Sequence, residues 1–112
     1  SLLKERRWSM TMAGASVRYR RRVRMFERFD MWSRGICWDD RFFYIEQSIW
    51  KKNGECAGHI VYRSAFVDKA GIINPDKVIE ALGKKIERPQ IPSWITKWIE
   101  AENNRPWPPD KE

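Results

Sequence analysis

Four runs of alternating apolar and polar residues, separated by short turn-forming segments, constrain this 112-residue chain more than any other feature. A side-chain period of two belongs to a strand with one buried face. From Ser16 onward, Val17, Tyr19, Val23 and Met25 alternate with Arg18, Arg20, Arg22 and Arg24, and only Arg21 breaks the apolar side; this predicts a strand over about 16–26. Phe29, Met31, Trp32, Ile36 and Trp38 supply β-favouring bulk for a second strand over about 28–38, with Gly35 marking a bulge. Asp39-Asp40 reads as a turn. A third strand, 41–51, sets Phe43, Ile45 and Ile49 against Phe42, Tyr44, Glu46, Ser48 and Trp50. Asn53-Gly54 then suits a type I′ hairpin, in which both central residues take positive φ. The fourth strand, 55–68, carries Ile60, Tyr62 and Phe66 on one face and His59, Val61, Ala65 and Val67 on the other. Short connections predict a meander of antiparallel neighbours.

Helix signals follow. Asn74 as cap, Pro75 in the first turn, Asp76 at the positive end of the dipole and Gly83 at the stop predict a helix with Val78, Ile79 and Leu82 as its stripe. After a charged linker (84–90), Pro92 or Ser93 opens a second helix with Ile91, Trp94, Ile95, Trp98 and Ile99 along one side. Residues 103–112 contain three prolines and read as a tail, loose or pinned only by Trp107. The length suits one α+β unit. Residues 1–83 would hold the sheet domain, with 84–112 packed on it as linker, helix and proline-rich tail.

Charge is confined to one segment. The chain carries 22 Lys and Arg against 15 Asp and Glu, yet residues 1–28 hold nine of the basic residues and only two Glu. The remainder balances to zero. Such a patch suits phosphates of nucleic acid, anionic lipid or the nucleotide end of a cofactor; its plain alternative is a solvated strand face paired with neighbouring acids. No apolar run approaches the ~20 residues needed to span a bilayer, and the composition predicts a cytoplasmic protein. Cys37 and Cys56 make no disulfide framework, and His59, the single histidine, excludes a multi-histidine metal site. No glycine-rich phosphate loop is present. Two carboxylates stand out as candidate catalytic groups. Asp39 sits at the turn, where an aspartate ordinarily satisfies backbone N–H groups. Glu46 lies within an aromatic strand, where burial would raise its pKa and an arginine on a neighbouring strand would hold it ionised.

The run from Val17 to Phe29 resembles the strand after the central helix in hotdog-fold acyl-CoA thioesterases of the 4-hydroxybenzoyl-CoA-thioesterase-like branch. Trp38-Asp39-Asp40-Arg41-Phe42-Phe43-Tyr44-Ile45-Glu46 is similar to that branch's next turn and strand. Gly54-Glu55-Cys56-Ala57-Gly58, with Val61 and Phe66 beyond it, resembles its hairpin and long strand. Ile73-Asn74-Pro75-Asp76-Lys77-Val78 resembles its closing helix. The resemblance covers about residues 8–83 and implies a hotdog-like curved antiparallel sheet of about four strands with C-terminal helices. The family's first strand and most of its central helix precede the matched stretch, so Ser1 to Met12 would be only the tail of that helix.

The resemblance further implies a homo-oligomer that binds acyl-CoA, with CoA phosphates on basic surface; here Arg18, Arg20, Arg22 and Arg24 are the candidate contacts. No cofactor or metal is implied beyond acyl-CoA as substrate or ligand. Hydrolysis in the family uses a carboxylate, and no residue of this chain corresponds to it. Three readings therefore stand: an acyl-CoA thioesterase-like protein, a non-catalytic relative serving binding or assembly, and a basic β-module for nucleic acid. Without the central helix the concave sheet face would stay apolar and open, and Trp94 to Ile99 folding into that space, element swapping or oligomerisation would each cover it.

Overall fold

The computed structural model describes residues 2–111. A short helix, α1 (Leu2–Arg6), leads into β1 (Ser9–Tyr19), β2 (Phe29–Trp38), β3 (Phe43–Lys51), β4 (Cys56–Asp68) and β5 (Gly71–Ile73), followed by α2 (Pro75–Ala81) and α3 (Ser93–Asn104). The five strands form one antiparallel sheet in the order β1-β4-β3-β2, with β5 also on β4.

Two expectations fail together at the first strand. It occupies 9–19 rather than 16–26, and it pairs with β4 instead of β2, so the sheet is not a simple meander. A bulge between Met12 and Gly14 flips the phase of alternation, which hides the first half of β1 from a period-two reading. At its other end, Arg20 and Arg21 both donate their N–H to the Ala57 carbonyl, at 2.8 and 3.1 Å. Two successive donors on one acceptor end the ladder. Residues 20–28 are therefore a loop long enough to carry the chain past the β3–β4 hairpin to the far edge of the sheet.

The remaining strands match their sequence pattern. The bulge near Gly35 appears as a register shift between Gly35 and Cys37. The hairpin after Lys51 is also present, but only Gly54 (φ 91°) takes left-handed backbone. Its N–H donates to the Lys51 carbonyl, and Asn53 Oδ1 accepts from the Glu55 N–H. This is a three-residue loop with a glycine bulge in place of the expected type I′ turn. Asn74 caps α2 by accepting from the Asp76 N–H, and Gly83 (φ 76°) follows its end. The tail begins at Arg105, and Trp107 is exposed rather than pinned.

Alternation along the strands sorts the side chains onto two faces. On one, Cys37, Phe42, Tyr44, Val61 and Ala65 form a core sealed by Ile95 of α3, with Ile91, Trp98 and Ile99 beside it. On the other, Trp8, Ile73 and Val78 pack with Leu3, Phe43 and Phe66, so α1 and α2 share that side. Helix α3 thus lies on the face opposite α1, and Trp94 to Ile99 do not fill the space next to the N-terminal helix as one expectation had it. The α1–α2 face stays open along Met10, Met12, Val17, Tyr19, Phe29 and Met31, all exposed.

Candidate functional site

The loop 20–28 sits at the end of the sheet where the β3–β4 hairpin turns, and specific bonds tie the two together. Arg21 Nε pairs with Glu55 Oε2 at 2.7 Å, and Lys51 Nζ reaches both the Arg22 carbonyl (3.2 Å) and Glu27 Oε2 (3.3 Å). Lys52 pairs with Asp30 at 3.2 Å. This end gathers Arg20, Arg21, Arg22, Arg24, Arg28, Lys51 and Lys52 around three carboxylates, Glu27, Asp30 and Glu55. Among the described residues no carboxylate lies within 4.0 Å of the Arg18, Arg20, Arg22, Arg24 or Arg28 side chains. Those guanidiniums are left for solvent or for an external anion.

Beneath the loop, on the open face, Tyr19, Val23, Phe29, Ile49 and Ala57 enclose a largely apolar pocket of about 360 Å³ with Arg21 and Arg22 at its edge. Gly58 lets Tyr19 lie across β4 there; a Cβ at this position would come within 3.3 Å of the Tyr19 ring. Val23 and Phe29 stand among arginines in the sequence, but two continuous strands would have spread them along the sheet, so the pocket has no local signal. The structure brings Arg20, Arg22 and Arg24 together on the loop. Arg18 points elsewhere: it stands opposite His59 in the register and lines a cleft of about 410 Å³ with Ser16, His59 and Trp94 on the α3 side.

Neither candidate carboxylate reaches the apolar pocket. Asp39 Oδ1 accepts from the N–H groups of Arg41 and Phe42, at 2.8 and 2.7 Å, and so fixes the β2–β3 turn. Asp40 and Asp76 share Arg88, while Asp76 also accepts from Trp38 Nε1 at 2.9 Å. Glu46 is on the α3 face, the reverse side of the strand from Ile49. It accepts from Arg34 Nε at 2.7 Å and its second oxygen lies 2.9 Å from His59 Nε2. Burial pushes the Glu46 carboxyl up, but the His59 and Arg34 hydrogen bonds outweigh that and leave it below the usual carboxylate range. It is an ionised, doubly held carboxylate. Cys37 is buried, and burial with the nearby Asp39 charge pushes its thiol up to about 11. Among the described residues no cluster of His, Cys, Asp or Glu is arranged to hold a metal ion.

The chain is thus an antiparallel sheet with helices on both faces and a basic end beside a largely apolar pocket. The thioesterase-like superfamily model matches residues 1–99, and the chain belongs to that superfamily. Protein THEM6 of Xenopus laevis is 37% identical over 93 residues, spanning 81% of this chain and 43% of the relative. Protein THEM6 of Drosophila melanogaster is 28% identical over 102 residues, spanning 88% of this chain and 50% of the relative. The chain thus spans about half the length of these curated relatives, or less. Among solved structures, the probable thioesterase YbaW of Escherichia coli superposes with a TM-score of 0.66 at 13% identity, covering 71% of this chain and 63% of that one. The hypothetical protein SAV2348 of Staphylococcus aureus, solved in complex with CoA, gives 0.61 at 9% identity, covering 79% and 61%. These likenesses establish the hotdog-like fold expected from the sequence, as a sheet of five strands counting the short β5. Among the described residues no helix is long and apolar enough to cross a membrane.

Proposed function

We propose that this chain forms part of an acyl-CoA thioesterase-like protein and binds acyl-CoA at its basic end. Arg20, Arg22 and Arg24 would take the phosphates, and the pocket of Tyr19, Val23, Phe29, Ile49 and Ala57 would take the apolar part of the thioester. The observation that carries this reading is the adjacency of the two halves. Arg22, whose guanidinium has no carboxylate partner among the described residues, lines an apolar pocket of about 360 Å³ on the same loop that carries Arg20 and Arg24, and acyl-CoA is polyanionic at one end and apolar at the other. The CoA-bound S. aureus neighbour, and a Thermus thermophilus thioesterase solved with coenzyme A and Zn (TM-score 0.53), support the same ligand class. Arg18, on the α3 side, is left out of this cluster.

Calorimetric titration with a medium-chain acyl-CoA tests the reading. Substituting Arg22 and Arg24 by Gln is expected to weaken binding about tenfold or more at low salt, since charge-assisted bonds contribute roughly 1.5–3 kcal/mol each when formed. Equal affinity in the variant and the parent protein would refute it. The open apolar face along Met10, Val17, Tyr19 and Met31 supports a homo-oligomer, which a mass measurement in solution by light scattering tests; a strict monomer at all concentrations overturns it.

A second reading, binding or assembly without hydrolysis, is favoured by the state of the two carboxylates. Hydrolysis needs a carboxylate free to activate water or attack the thioester carbonyl. Asp39 is engaged by two N–H groups and Glu46 by Arg34 and His59. A thiol-release assay over several acyl-CoA chain lengths separates the two: release above background establishes hydrolysis, and its absence leaves binding alone.

A further inference from the structure

The tip of the basic loop has a property that ligand phosphates do not require. Met25 and Phe26 are 84% and 95% exposed, the highest values among the large apolar side chains of the described residues. Their exposure is built into the backbone. Phe26 has φ 64°, a left-handed conformation rare for a bulky residue, and its ring stays in solvent instead of folding onto the sheet. The turn that holds it is closed from both ends: the Arg24 N–H donates to Glu27 Oε1 and the Glu27 N–H donates to the Arg24 carbonyl, both at 3.0 Å. Glu27 is anchored in turn by Lys51 on the neighbouring hairpin. Around this apolar pair stand Arg20, Arg22, Arg24 and Arg28, exposed and without carboxylate partners among the described residues.

We propose that the Met25-Phe26 tip and its arginine collar dock on an anionic lipid surface, with the two apolar side chains entering the headgroup–acyl boundary and the guanidiniums meeting lipid phosphates and carboxylates. Apolar side chains at the tip of a cationic surface are the arrangement an interface of that kind rewards: aliphatic and aromatic groups insert, and each cation near the negative surface adds to attraction. A soluble anion is met by the arginines alone and gains nothing from a ring held in water. The collar shares Arg20, Arg22 and Arg24 with the phosphate contacts proposed above, but the apolar tip is separate from the acyl-CoA pocket, because neither Met25 nor Phe26 lines it.

Sedimentation with vesicles of phosphatidylcholine, with and without 30% phosphatidylserine, tests the proposal. The parent protein is expected to partition onto the phosphatidylserine vesicles, to be released by 0.5 M salt, and to ignore pure phosphatidylcholine. Met25→Ser with Phe26→Ser should lower the partition coefficient at least tenfold, the loss that follows from failing to bury even one large apolar side chain. Titration of the same variant with acyl-CoA should match the parent. Equal binding to both vesicle types overturns the proposal, as does a double variant that binds like the parent. A variant whose loss of apolar tip dissociates an oligomer without changing vesicle binding would assign the tip to a second copy of the chain and overturn it as well. Loss of acyl-CoA binding with vesicle binding intact would assign the tip to the pocket and overturns the proposal too.

Discussion

Replacing Ile95 with alanine should undock α3 from the sheet. Ile95 is the residue of α3 that is buried, at 0% exposure, and it seals the cluster of Cys37, Phe42, Tyr44, Val61 and Ala65. The substitution removes three carbon atoms, and at about 0.8 kcal/mol for each buried CH₂ the transfer loss alone is ~2.4 kcal/mol. The cavity left between helix and sheet adds to that, because Tyr44 and Val61 come from two hydrogen-bonded strands and cannot collapse into it; a total of about 3–4 kcal/mol falls within the range for large-to-alanine changes in cores. Polar ties do not compensate. Arg63 bonds the Tyr44 hydroxyl at 3.0 Å within the sheet, and its approach to Glu102 of α3 is 4.0 Å. The assay is urea unfolding combined with amide hydrogen exchange, with Thr96→Ala on the exposed side of the same helix as control. The expected result is a loss of about 3 kcal/mol for Ile95→Ala, faster exchange throughout 93–104, and changes under about 0.5 kcal/mol for the control. A loss below 1 kcal/mol with α3 protection unchanged would refute the assignment of α3 to the Tyr44 face.

The two thiols should separate cleanly: at pH 8 a maleimide is expected to modify Cys56 in the folded protein and to spare Cys37, whose buried thiol is pushed up to about 11, with both reacting in urea. Equal native labelling by intact mass would refute this. Acid stability is the other check. Asp76, held by Arg88 and Trp38, and Glu46, held against its burial by His59 and Arg34, titrate below their unfolded values. Their stabilisation is therefore complete above the unfolded carboxylate range of about 3.9–4.3 and is lost as pH falls through it toward the lower folded values. Urea midpoints should hold level from pH 7 to about 5 and drop below about 4.3, and Glu46→Gln should flatten that drop; a drop of equal depth in the variant contradicts the assignment to Glu46.

Much of the sheet is legible in the chain because its information is local. Phe43, Ile45 and Ile49 alternate with Tyr44 and Glu46, and that is sufficient to define β3 and its two faces. Gly35 and Asn53-Gly54 mark a bulge and a hairpin through backbone chemistry that depends on those residues alone. The first strand fails for two different reasons. Its bulge at Met12–Gly14 breaks the period, and its partner is β4, separated from it by two other strands, so nothing nearby in sequence records the pairing. The arginine run is the instructive error. Arg18 to Arg24 alternates well enough to pass as a strand, yet Arg20 and Arg21 share the Ala57 carbonyl and the chain leaves the sheet. The pocket below the loop could not be foreseen because it needs Ile49 and Ala57 brought beside Val23 by that departure. Glu46's arginine partner on the neighbouring strand, by contrast, was expected from the pattern and is found as Arg34.

The placement of charge on the two faces limits how hydrolysis could occur if it is observed. A ligand bound between the loop and the Tyr19–Ile49 pocket lies on the α1–α2 side of the sheet. Glu46 and His59 project from the other side, and the sheet between them is continuous through β3 and β4. No side-chain rotation carries Glu46 across a hydrogen-bonded strand. Asp39 lies at the β2–β3 turn, at the opposite end of β3 from Lys51 and the loop, and its Oδ1 closes that turn. Thiol release that survives both Glu46→Gln and Asp39→Asn would therefore locate the acting group outside this set, on a second copy of the chain or on a segment beyond these 112 residues. Release abolished by Glu46→Gln, with the fold intact by amide exchange, would instead move the thioester to the α3 side, into the cleft of Arg18, His59 and Trp94, and the pocket under the loop would lose its assignment.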